Sequence, residues 1–139
     1  MKLSRRDALV IGLGGFAAAT FASAAGAATV EELTATFTGG AAPADGGITL
    51  TAPEIAENGN TVPIAVDAPG ATSILLLASG NPEPAVCQFN FGPLAGSQMV
   101  STRIRLSKTQ DVIALAKMAD GSIKQAKATV KVTIGGCGG

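Results

Sequence analysis

The clearest pattern in the chain lies near its end. From Ser122 to Ile134, the residues Ala126, Ala128, Val130, Val132 and Ile134 alternate with Gln125, Lys127, Thr129, Lys131 and Thr133. A period of two puts the first set on one face of a strand and the second on the other. "DVIALAKM", Asp111 to Met118, reads as its partner. Between them "ADGS" supplies Asp120-Gly121, the residue types that a tight hairpin turn needs. The same rhythm runs upstream. "MVSTRIRL" turns Val100, Ile104 and Leu106 inward and Arg103 and Arg105 outward, and "AVCQFNF" places Ala85, Cys87, Phe89 and Phe91 on one apolar face. "TVPIAV" aligns Val62, Ile64 and Val66 after an Asn58-Gly59 turn, and "ITLTAP" aligns Ile48, Leu50 and Ala52. "TSILLLAS" is apolar without alternation, the mark of a strand buried on both faces or covered by a partner element.

One segment breaks the period of two. In "TVEELTATF", Val30, Leu33 and Phe37 share a helical face, Thr29 and Glu32 have capping-box spacing, and Gly39-Gly40 stop the run. "TGGAAPADGG" then reads as a linker. About seven strands with turns at short intervals predict an all-β, immunoglobulin-like sandwich with a short N-terminal helix, and no internal repeat is visible.

The first 28 of the 139 residues belong to a different class of sequence. They begin with basic residues, continue with an apolar stretch from Ala8 to Phe21, and end in small residues suited to signal-peptidase cleavage. Arg5-Arg6 after Ser4 resembles a twin-arginine export signal; Leu9 fits that motif, whereas Ala8 and Val10 stand where Phe and Lys are usual. The stretch is nearly long enough to anchor in a bilayer. Its Ala and Gly content, with Ala-Gly-Ala before Ala28, favours cleavage near Ala27 or Ala28 instead, and a periplasmic protein free of the membrane after export. Residues 29–134 are then one sandwich domain, and residues 135–139 a pliable arm.

Removing the leader changes the charge. Seven basic and nine acidic residues remain, a net of −2; all seven bases lie at Arg103 or later, and seven of the acids at or before Glu83. That division along the chain points to a charged partner surface. With no excess positive charge, no Trp and no Tyr, nucleic acid is not an expected partner. The chain also has no histidine, which removes imidazole acid–base catalysis and the commonest zinc and copper ligands. No cofactor or metal is expected on the chain itself, and no catalytic residue.

What chemistry remains rests on two cysteines. Cys87 falls on the apolar side of its strand, where a cysteine behaves as a small hydrophobe, so it reads as inert core. Cys137 sits in "GGCGG", flanked by Gly135, Gly136, Gly138 and Gly139, with no neighbouring side chain to pack against. Glycine on both sides lets the backbone follow the sulfur into a narrow cleft. An unprotected thiol is a liability in an oxidising compartment, which favours a tethered covalent carrier over an incidental cysteine on a frayed tail. A Cys87–Cys137 disulfide is the other open reading.

These residues resemble a family. "GGCGG" is similar to the carrier-arm motif of SoxY, the sulfur-carrier subunits of the bacterial thiosulfate-oxidising (Sox) system. "PEIAENGNTVPIAV", Pro53 to Val66, and the segment from Asn81 to Gly121 also resemble that family, as does the leader. The resemblance implies a carrier rather than an enzyme, with Cys137 as the site of covalent substrate attachment and Gly135, Gly136, Gly138 and Gly139 as its arm. It implies a heterodimer with SoxZ and transient visits to the SoxAX cytochrome, the manganese-dependent SoxB hydrolase and the SoxCD dehydrogenase. No such role attaches to Cys87. Two rivals come from other classes. A periplasmic structural or assembly sandwich, with the Cys87–Cys137 disulfide, would not need a free Cys137. A ubiquitin-like modifier would use a Gly-Gly carboxylate, against which both Cys137 and the export signal count.

Overall fold

The structure, a computed structural model, describes residues 26–135. Helix α1 spans Val30–Thr38. Nine strands follow: β1 (Ala44–Asp45), β2 (Thr49–Thr51), β3 (Ile55–Ala56), β4 (Val62–Asp67), β5 (Ala71–Ala78), β6 (Ala85–Asn90), β7 (Met99–Ile104), β8 (Gln110–Met118) and β9 (Ile123–Val132). One sheet runs β1-β9-β8-β5-β6, with β3 also on β9; the other runs β2-β4-β7. The expected leader up to residue 25, and Gly136, Cys137, Gly138 and Gly139 of the expected arm, lie outside the described residues.

Alternation decides which side chains meet between the sheets. Val62, Ile64 and Val66 of β4 and Ile104 of β7 pack across from Ile74 and Leu76 of β5, Val112 and Ala114 of β8, and Val130 of β9. This is the immunoglobulin-like sandwich that the period of two predicts. The hairpin between β8 and β9 closes as its residues require. Gly121 takes φ 85°, and the Asp120 carboxylate accepts the Ser122 amide at 2.8 Å and its hydroxyl at 2.6 Å. Those two hydrogen bonds hold the Asp120 carboxyl below its ordinary range.

The unbroken apolar run of β5 has a physical explanation. Ile74, Leu76 and Ala78 face the sandwich core, while Leu75 and Leu77 face outward under α1, where they meet Phe37, Leu33, Val30, Ile113 and Leu115. The helix is thus a lid for the second face of a central strand. Its ends are fixed locally. Thr29 and Glu32 form both halves of the capping box, at 3.2 and 2.9 Å, and Gly39 closes the other end at φ 66°.

Two expectations need correction. β1, in the segment read as a linker, and β3, in a stretch given no element, have two residues each; both run parallel to β9, at Ala44↔Lys124 and Ile55↔Lys131. A two-residue strand has no periodicity to detect, and its existence depends on the neighbour it meets. The alternation of β6 is broken by a register shift. Leu76 stands opposite Cys87 but Leu77 opposite Ala85, so Ala85 leaves the face shared by Cys87, Phe89 and Phe91. Acids and bases that lie apart along the sequence also meet in the fold. β1 and β3 bring Asp45, Glu54 and Glu57 alongside the strand that carries Lys124 and Lys131. Among the described residues no helix is long and apolar enough to cross a membrane.

Candidate carrier site at the end of the last strand

The alternation of β9 carries the chain toward the expected arm, and three contacts fix where it leaves the body. Thr133 donates its amide to the Ala56 carbonyl at 3.1 Å and its hydroxyl to the Glu57 carbonyl at 3.0 Å. The Ile134 carbonyl accepts the Gly59 amide at 2.7 Å, and the Gly59 carbonyl accepts the Leu106 amide at 2.8 Å. Gly59 therefore joins the end of β9 to the end of β7. It is buried, and its φ is not positive, so the Asn58-Gly59 turn does not use glycine for a left-handed backbone. Asn58 shapes the turn by accepting the Asn60 amide at 3.0 Å.

Gly135, the first residue of the expected arm, lies against the loop between β7 and β8. A Cβ built there would overlap the Ser107 carbonyl oxygen and stand 3.1 Å from its carbon. That loop is held by side chains whose part the sequence did not reveal. Asn81 accepts the Ser107 amide at 2.9 Å and donates to the Arg105 carbonyl at 2.8 Å. Buried Gln110 donates to Asn81 at 2.9 Å and accepts the Gly80 amide at 2.8 Å. Ser107 donates its hydroxyl to the Gly80 carbonyl at 3.1 Å. Asparagine and glutamine in a polar stretch look like ordinary loop residues in sequence; only the fold brings 80–81, 105–110 and 135 together.

Cys87 lies elsewhere. It is half-buried on the edge strand β6, packed against the sandwich core, and a free thiol. Burial raises its pKa from the ordinary 9.0, which keeps it protonated and unreactive near neutral pH. The expectation of full core burial is softened because, among the described residues, β6 has no strand beyond it. The ladder also bears on the disulfide reading. Cys87 stands opposite Leu76, Leu76 opposite Ala114, and Ala114 opposite Ala126. Cys87 is thus three strands from β9, about 14 Å, and level with a point about 20 Å back along β9 from Val132. With the Ile134 carbonyl tied to Gly59, the three residues onward to Cys137 span about 10 Å at most. A Cys87–Cys137 bridge within one chain is out of reach.

A family model described as "Sulfur oxidation protein SoxY" matches residues 34–137, a span that runs through the sandwich and ends on Cys137. The chain belongs to the SoxY family. The solved structure of the sulfur carrier protein SoxY from Chlorobium limicola f thiosulfatophilum is similar, with 34% identity and a TM-score of 0.65. The match covers 76% of this chain and 97% of that one. Superoxide reductase (neelaredoxin) from Ignicoccus hospitalis shares the fold alone, with 18% identity, a TM-score of 0.55 and coverage of 63% and 80%. No curated protein sequence matches. Membership of the SoxY family makes this chain a sulfur carrier of the Sox system, a part whose work is done with other Sox proteins. The span of the family match takes in Gly59, Asn81, Ser107, Gln110 and Gly135.

Proposed function

We propose that the chain is a periplasmic covalent carrier in thiosulfate oxidation, with Cys137 as its point of attachment and Gly135, Gly136, Gly138 and Gly139 as the arm that presents it. The observation that carries this reading is the extension of the family match to Cys137, at the end of a strand whose exit from the body is fixed on three sides. The protected Cys87 thiol supports giving the chemistry to Cys137 instead.

In the proposed cycle the Cys137 thiol and thiosulfate are joined through a new sulfur–sulfur bond. The thiol loses its proton and two electrons pass to an acceptor, the role assigned to the SoxAX cytochrome, leaving Cys137 as an S-thiosulfonate. Hydrolysis by SoxB then breaks the bond between the outer sulfane sulfur and the sulfonate. Water supplies the fourth oxygen of the sulfate released, and a persulfide remains on Cys137. SoxCD, where present, oxidises that sulfane sulfur. SoxZ is the stable partner in a heterodimer. Export is proposed to use the twin-arginine-type leader, residues 1–28.

Intact mass spectrometry of the chain from cells growing on thiosulfate tests this reading. Sulfur-containing mass additions on the C-terminal peptide, removed by reductant, are expected. Additions confined to Cys87, or none at Cys137, would refute it.

A further inference from the structure

Gly135 differs in its surroundings from most glycines of the body. At Gly39, Gly40, Gly46, Gly92, Gly96 and Gly121 an added Cβ would meet nothing within 4 Å. At Gly135 it would collide with a backbone oxygen, and that oxygen belongs to a loop tied down by Asn81, Gln110 and the Gly80 carbonyl. A flexible side chain could swing aside; a backbone carbonyl in a bonded loop cannot move without breaking its hydrogen bonds. Backbone freedom is not the reason for glycine here, since the φ of Gly135 is not positive.

We propose that Gly135 is a positioning residue and not part of the arm's pliable span. Its missing Cβ lets the chain lie against the Ser107 carbonyl while Ile134 bonds to Gly59, so the thiol is carried from a fixed point two residues away. The inference rests on the carrier reading for its function, but the anchoring itself does not. A fixed pivot restricts the positions that the sulfur samples, which raises its effective concentration at a partner's active site. An alanine at Gly135 has to push the chain off Ser107, weaken the Gly59–Ile134 bond and let the pivot drift.

The test uses the full mature chain as Gly135→Ala, Gly136→Ala, Asn81→Ala and the Gly135→Ala/Asn81→Ala double variant. Ser107→Ala serves as a milder loosening of the loop if Asn81→Ala folds poorly. Amide exchange at Gly59, alkylation of Cys137 by a small reagent, and KM and kcat for the carrier in thiosulfate oxidation by the partner enzymes are measured. Gly135→Ala is expected to speed Gly59 exchange about tenfold or more and to raise KM several-fold, with alkylation unchanged. Gly136→Ala is expected to leave Gly59 exchange alone. Loosening the loop is expected to restore part of the lost protection, a coupling that additive damage would not give. Unchanged Gly59 exchange in Gly135→Ala, or strictly additive effects in the double variant, overturns the proposal. Absence of turnover in the wild-type chain would refute the carrier reading, and the exchange comparison would still decide whether Gly135 anchors the root.

Discussion

The amide of Gly59 donates to the carbonyl of Ile134 at 2.7 Å, and through this bond a surface turn holds the last strand's end. Most turn amides face water. This one is buried and sits in a chain of backbone bonds from Ile134 through Gly59 to Leu106. It should therefore exchange like a strand amide. We expect the Gly59 hydrogen to exchange at least about 100-fold more slowly than that of Gly92, read by hydrogen-exchange NMR. Equal rates would mean that the strand end frays in solution and the root is not fixed.

The two thiols should separate cleanly by mutation. Cys137→Ser is expected to abolish thiosulfate-dependent turnover with the β-sheet circular dichroism unchanged. Cys87→Ala should keep turnover and cost about 1 kcal/mol, as removal of a small half-buried side chain does. The pH dependence follows from the raised Cys87 pKa. Below the ordinary value of 9.0 the thiol is neutral in folded and unfolded chains alike, and its burial helps the fold in full. Above it the unfolded chain ionises first, so wild-type stability should decline with rising pH more steeply than that of Cys87→Ala. Urea midpoints between pH 7 and 10 give the comparison, and parallel curves would refute it. Reversed activities of the two mutants would show that the working thiol had been misassigned.

Much of this architecture is legible in the residue pattern, for reasons that particular strands make plain. β4 and β9 alternate because one face meets the opposite sheet, and that face reads directly from Val62, Ile64 and Val66 or from Val130 and Val132. β5 announces burial on both sides by its lack of alternation, and the amphipathic segment that covers it is visible upstream. What stays hidden depends on pairs distant in sequence. β1 and β3 exist because β9 offers an edge, and the Cys87 bulge depends on how β6 registers against Leu76 and Leu77. The pattern GGCGG is visible in the sequence, but the contacts made just before it are not. Gly59 reads as a turn glycine and Ser107 as a loop serine until the fold sets them beside Ile134 and Gly135.

The helix offers a stability test that separates local from tertiary contributions. Thr29→Ala removes the capping hydroxyl and should cost about 1 kcal/mol. Phe37→Ala strips the buried ring that covers Leu75 and Leu77 and should cost about 3 kcal/mol or more. Lys117, whose ammonium lies 5.2 Å from that ring, loses its aromatic contact as well. Urea unfolding of both variants measures the difference. Should Phe37→Ala cost no more than Thr29→Ala, the helix would be an appendage and not the cover of β5.

The glycines beyond Gly135 pose a different question, about passage and not about anchorage. If Gly136 and Gly138 are present because glycine is thin, valine at both should leave Cys137 as reactive as before toward a small soluble reagent. Turnover by the partner enzymes should nevertheless fall, by about 100-fold if the sulfur is displaced by an ångström or so from its reacting position. A β-branched residue is too wide to follow the sulfur into a narrow channel and resists positive φ. Proline at Gly136 should do similar harm by fixing the direction of the chain. The deciding quantity is the ratio of partner-dependent turnover to alkylation rate across the series. Gly135→Ala supplies a control, since moving the pivot alters KM without widening the segment that enters. A ratio that stays flat from wild type to the valine and proline variants would show that the glycines act only as a spacer, and entry of the arm into a narrow channel would have to be abandoned.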